Sequence, residues 1–139
     1  MHSELQVLGR AVKQVQYRQH RALETGLAAV GTTLAQWDAL RAVGRLPGAS
    51  ARTLAAETFQ TEQAFGTLAG RLVAQRLIER TPGHGRRIEH RLTPAGERML
   101  EAGRTVAEQV LADCFAALPA EDRAALLGLL RRLLDEEPA

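Results

Sequence analysis

The chain has 139 residues, 45% of them hydrophobic and 24% charged. At about 100–200 residues per domain this length fits one domain, too apolar for disorder, and no window approaches the ~20 apolar residues of a membrane span. A single cysteine, Cys114, excludes an internal disulfide, and the N-terminus lacks a basic-then-apolar leader, so a cytoplasmic protein is expected.

The basic residues are 17 Arg and one Lys, and their distribution matters more than their number. Residues 1–51 carry a net +3, residues 52–96 another +3, and residues 97–139 a net −4. A nearly neutral protein thus has a basic middle, which is what a polyanion recognises.

Apolar residues at Leu5, Leu8, Val12 and Val15, then Ala22, Leu23, Leu27 and Val30, step by three and four and predict a first helix closed by Gly31. Thr33-Leu34-Ala35-Gln36 reads as a capping box. It opens a second helix with Leu34, Trp37, Leu40 and Val43 inward, broken at Leu46-Pro47-Gly48. Ser50 caps a short third helix to about Thr58, and Thr61 caps a fourth to about Gln75. The gap between these two is short enough for a helix-turn-helix. Ile78–Thr81 and Ile88–Leu92 alternate around Pro82-Gly83-His84-Gly85 and predict a β-hairpin. Thr93-Pro94 opens a fifth helix, with Ala95, Met99, Val106 and Val110 inward, ending near Phe115. Pro119 starts a sixth with a broad stripe of Leu126, Leu127, Leu130, Leu133 and Leu134, and residues 135–139 are expected to fray. The expected fold is mainly α with a small β-hairpin wing: a winged helix-turn-helix lobe plus helices outside it that are too apolar to stand alone in water.

On a helical wheel the fourth helix puts Phe65, Leu68 and Leu72 on one side and Gln63, Thr67, Gly70 and Arg71 on the other, with Gly66 at the margin. Arg reads guanine, Gln reads adenine and the Thr methyl meets thymine. Glycines permit close approach but each costs ~1 kcal/mol of helix propensity against Ala. The hairpin region concentrates Arg76, Arg80, Arg86, Arg87 and Arg91 with His84 and His90. Arginines on a protruding loop suit the narrow, electronegative minor groove of double-stranded DNA.

These residues carry a resemblance. Leu34-Ala35-Gln36-Trp37-Asp38-Ala39-Leu40, Ser50-Ala51-Arg52-Thr53-Leu54-Ala55, Leu68 through Leu72, Gly85-Arg86-Arg87, and Arg91-Leu92-Thr93-Pro94-Ala95-Gly96 together resemble the MarR family of transcription regulators over nearly the whole chain. The stretch Arg91–Gly96 behind a paired-Arg wing is the most specific part. The resemblance implies a homodimer with a dimerisation layer from both chain ends (1–31 and 95–139) around a winged-helix lobe (33–94). It also implies an operator that is an imperfect inverted repeat, and DNA contacts from Ser50, Arg52, Thr61, Gln63, Thr67, Arg71, His84, Arg86 and Arg87. Many members bind small phenolic or aromatic acids between the two layers. Tyr17, Arg18, His20, Trp37 and Arg41 are the candidates for holding such an effector here, and a ligand-released repressor is the implied function. The chain departs from the family at the end of the recognition helix, where the usual Gly is replaced by Arg76. A left-handed backbone there carries a cost of ~1–2 kcal/mol. It departs again at Gly85, which cannot brace a wing Arg as an Asp would.

No catalytic set is visible, no metal-ligand spacing links the four His, and no cofactor is expected. Cys114 is expected to be a buried, inert thiol, the alternative being a thiol-based oxidant sensor. A winged-helix module that binds only proteins is the remaining rival.

Overall fold

The structure, a computed structural model, describes residues 3–135. Of the stretch expected to fray, all but Asp135 lies outside the described residues. In chain order the elements are α1 (Glu4–Ala28), α2 (Leu34–Arg45), α3 (Ala51–Glu57), α4 (Glu62–Ala74), β1 (Ile78–Pro82), β2 (Ile88–Leu92), α5 (Pro94–Cys114) and α6 (Ala120–Leu133). Among the described residues no helix is long and apolar enough to cross a membrane.

Helix starts follow from single side chains. Ser3, Thr33, Ser50, Thr61 and Thr93 each accept a hydrogen bond from the backbone N–H three residues on, at 3.0–3.3 Å. Each pairing satisfies a donor that the first helical turn leaves free. The box at Thr33 is only half formed. The Gln36 side chain does not return to the Thr33 N–H; its Oε1 accepts from the Thr32 hydroxyl at 3.3 Å instead. Pro82, expected in the turn, ends β1, where it pairs with Ile88 in an antiparallel ladder that runs to Ile78 opposite Leu92.

The core joins both ends of the chain to the middle. Leu23 and Leu27 of α1, Trp37, Leu40 and Val43 of α2, Leu54, Phe65, Leu72, Ile78 and Leu100 are all buried. α5 packs along α1 and against α2, and glycines set how close it comes. A Cβ on Gly103 would collide with the Trp37 indole, and one on Gly96 with the Leu77 carbonyl. The Trp37 N–H crosses to the Leu100 carbonyl at 3.2 Å. This one indole therefore ties α2 to α5.

α4 ends on a left-handed residue. Arg76 has φ 61, its N–H reaches the Val73 carbonyl, and the Leu77 N–H reaches back to the Leu72 carbonyl at 2.9 Å. This is the helix-ending motif that usually employs glycine. The Arg76 carbonyl is then fixed by the Thr93 hydroxyl at 2.6 Å, so the surrounding hydrogen bonds hold the costly conformation in place.

Two apolar surfaces stay uncovered. Leu5, Leu8, Val12 and Val15 on the first half of α1 are exposed, as are Leu127, Leu129, Leu130 and Leu133 on α6. No residue of α6 is buried.

Candidate nucleic-acid interface and effector cleft

The outer face of α4 is bare. Gln63, Thr67 and Arg71 are exposed, while Phe65, Ala69 and Leu72 are buried beneath them. A Cβ built on Gly66 or Gly70 meets nothing within 4 Å, so nothing in this chain requires glycine at either position. Among the remaining candidates, Thr61 and Ser50 spend their hydroxyls as caps of α4 and α3. Ser50 also donates to the Thr53 hydroxyl at 3.2 Å. Arg52 is exposed on the first turn of α3.

The wing is pinned to the rest of the lobe at three places. The Arg80 guanidinium donates to the Gly66 carbonyl of α4 at 3.0 Å. That of Arg87 donates to the Gly48 carbonyl at 3.1 Å. The His90 ring, only 1% exposed, sits edge-on to Phe65 with Nδ1 2.9 Å from the Ala49 carbonyl. The two wing arginines therefore differ. Arg86 and His84 stand exposed at the loop, where Gly85 turns the chain with φ 64. Arg87 folds back onto the segment between α2 and α3. Arg80 was legible only as one more basic residue, because its contact with the recognition helix crosses from another element.

Between α1, α2, α5 and the turn from α3 to α4 lies a cleft of about 700 Å³. His20, Trp37 and Arg41 line it as expected, but Tyr17 and Arg18 do not. Tyr17 faces solvent and accepts from Arg21 at 3.3 Å. Arg18 lines a second, smaller cleft beside Cys114. The reason is helical phase. Gln16, Gln19, His20 and Leu23 face the main cleft at steps of three and four, and positions 17 and 18 point elsewhere. Asp38, Arg45, Arg104 and Phe59 also line it and were not anticipated.

The walls of the cleft carry charge. The Arg41 guanidinium stacks over the Trp37 ring at 4.6 Å and lies 3.5 Å from the Asp38 carboxylate. Arg45 pairs with Glu57 of α3 at 2.9 Å, and Arg104 with Glu101 at 2.9 Å. Partial burial raises the Asp38 pKa above the ordinary aspartate range, and Arg41 only partly offsets it. Cys114 corrects an expectation: it is exposed rather than buried. The buried face of α5 ends at Ala107, two turns earlier.

A helix-turn-helix followed by a pinned hairpin and flanked by long helices from both chain ends defines a winged-helix regulator. The MarR family model matches residues 30–87. A probable transcriptional regulator from Pseudomonas aeruginosa is 30% identical, with 90% of this chain and 95% of that one covered, at TM-score 0.81. A mutant form of MarR from E. coli, crystallised with operator DNA, superposes at TM-score 0.87 with 23% identity over 94% of this chain and 96% of that one. A Mycobacterium tuberculosis MarR-family protein in complex with p-aminosalicylic acid is 25% identical at TM-score 0.76, over 91% of this chain and 97% of that one. No curated protein matches the chain significantly. The chain belongs to the MarR family of winged-helix transcription regulators.

Proposed function

We propose that the protein is a homodimeric repressor that binds an imperfect inverted repeat in double-stranded DNA and is released by a small aromatic acid. The observation that carries the DNA reading is the outer face of α4. Amide, hydroxyl and guanidinium groups stand exposed there beside two glycines that the chain's own packing does not need. In this reading Gln63, Thr67 and Arg71 read bases, while Arg52 and the cap residues Ser50 and Thr61 approach phosphates. His84 and Arg86 enter the minor groove, and Arg87 orients the wing. The same fold occurs on operator DNA in the E. coli protein.

Residues 33–94 form the DNA-binding lobe, and the helices of 1–31 and 95–139 form the dimer layer. Support for the dimer comes from the uncovered apolar faces of α1 and α6, since contiguous exposed apolar surface of this kind is rare on monomers. Support for the effector comes from the cleft: the Trp37 ring and the Arg41, Arg45 and Arg104 guanidiniums line it, each guanidinium held by an exchangeable ion pair with Asp38, Glu57 or Glu101 that a ligand carboxylate can compete for. The M. tuberculosis relative with p-aminosalicylic acid points to the same ligand class.

The experiment is a fluorescence-anisotropy titration of labelled duplexes at several salt concentrations. Specific binding should fall linearly in log–log form as salt rises. Arg71→Ala should cost about 1–3 kcal/mol per half-site and relax the preference at one base pair. No affinity for any duplex at low salt would leave the protein-only module standing.

A further inference from the structure

Phe59 occupies the turn of the helix-turn-helix, and nothing in the chain accounts for it. The residue is 97% exposed. Its backbone is left-handed, with φ 58, a conformation that bulky side chains rarely adopt. Its neighbours are well tied down. The Thr58 hydroxyl donates to the Leu54 carbonyl at 2.8 Å, and the Gln60 N–H reaches the Ala55 carbonyl at 2.8 Å. Two residues on, Thr61 caps the recognition helix. The turn is thus a firm piece of the DNA-binding lobe that holds a phenyl ring out in water.

That ring stands at the edge of the cleft whose other walls come from α1, α2 and α5. Of the cleft residues, it is the one carried by the turn between α3 and α4. The aromatic face of a planar acid in the cleft would cover the ring and remove it from water. Any displacement of Phe59 passes through two peptide units to the cap of α4. We propose that Phe59 is the contact through which an effector in the cleft acts on the recognition helix. The inference rests on the effector reading given above and names the residue that couples it to DNA.

The test uses the full chain, with salicylate as the probe. Trp37 is the single tryptophan and lines the cleft, so its fluorescence reports binding without DNA. Anisotropy on a duplex selected from a random-sequence pool reports the effect on DNA. The variants are Phe59→Asn, which tolerates the left-handed backbone without the ring, and Phe59→Tyr, which keeps the ring. Wild type and Phe59→Tyr should bind salicylate alike and lose DNA affinity by the same factor at saturation. Phe59→Asn should hold or raise its thermal midpoint, because Asn suits the left-handed backbone, and keep its DNA affinity without salicylate. It should bind salicylate about 3- to 10-fold more weakly, the size of one aromatic contact, and lose little DNA affinity at saturation. If Phe59→Asn responds at saturation as wild type does, Phe59 is not the coupling contact, although the cleft reading stands. If Phe59→Asn weakens DNA binding without salicylate, the ring serves DNA, and the inference fails. If wild-type Trp37 does not respond to salicylate, the effector reading fails first, and the inference falls with it.

Discussion

Replacing Gly66 and Gly70 by alanine should push stability and DNA affinity in opposite directions. Both residues lie inside α4, where each Gly costs ~1 kcal/mol against Ala. A methyl at either site meets no atom within 4 Å, so no clash offsets the gain. The Arg80 bond to residue 66 uses the backbone carbonyl and survives the change. The double variant should therefore gain about 2 kcal/mol, or roughly 4–8 °C in thermal midpoint for a chain of this size. Unfolding must be compared at one protein concentration, because a dimer's midpoint depends on it. If α4 meets DNA as proposed, the same methyls stand against the duplex, and displacing one good contact costs about 1–3 kcal/mol. Anisotropy should show a loss of at least about fivefold. Higher stability with unchanged DNA affinity would refute the placement of this face against the duplex. Lower stability would refute the claim that the glycines serve nothing within the chain.

Arg86→Ala and Arg87→Ala should both weaken DNA binding, but only Arg87→Ala should speed hydrogen exchange at the wing backbone, since it alone releases the Gly48 carbonyl; equal exchange in the two variants would show that the pin is idle. Wild type should sediment at twice its 15.1 kDa chain mass, and Leu130→Asp should dissociate or unfold it by burying a charge in the α6 seam; a wild-type monomer at all concentrations would overturn the dimer. Asp38 has its pKa raised by burial, so its carboxylate costs stability above that pKa, and the cost disappears as pH falls through it toward 3.8. Asp38→Asn should accordingly raise the thermal midpoint slightly at pH 7, with the gap closing in acid. The effect stays small because the side chain is 45% exposed, and a lower midpoint at pH 7 would show that the Arg41 pairing outweighs the burial.

What the sequence revealed divides by range. The starts of α2, α3, α4 and α5 were legible because Thr33, Ser50, Thr61 and Thr93 act on N–H groups three residues away. The inward faces of α2 and α4 were legible because a period of 3.6 is written in the chain itself. The pins were not, since Arg80 reaches a carbonyl 14 residues back and Arg87 one 39 residues back. For the cleft, residue type was a better guide than phase. Trp37, His20 and Arg41 line it as an indole, an imidazole and a guanidinium. Tyr17 and Arg18 were of the right types on the wrong side of α1. Asp38, Arg45 and Arg104 were missed because each could equally have been a solvated helix charge. Cys114 failed for a similar reason: it stands exposed at the end of α5, and whether a residue there is covered depends on tertiary packing that no local pattern records.

The pins have a mechanical consequence for the dimer proposed above. Arg80 fixes the hairpin to α4, Arg87 and His90 fix it to the segment before α3, and Thr93 fixes the end of α4 to the start of α5. Recognition helix and wing therefore move together. The cleft lies beside the contacts of this lobe with the long faces of α1 and α5, where the Trp37 bond to the Leu100 carbonyl is the tie a ligand would have to strain. Two recognition helices must enter successive major grooves about 34–36 Å apart, so a ligand that shifts each lobe by a few ångströms is incompatible with the DNA-bound spacing. Coupling through a rigid lobe should weaken wing contacts and base contacts together. By linkage, DNA must weaken the ligand by the same factor, ~5–150-fold for a coupling of about 1–3 kcal/mol. Measuring salicylate affinity through Trp37 with and without saturating duplex tests this without reference to repression. Equal affinity in the two states would mean that the cleft and the DNA face are not coupled.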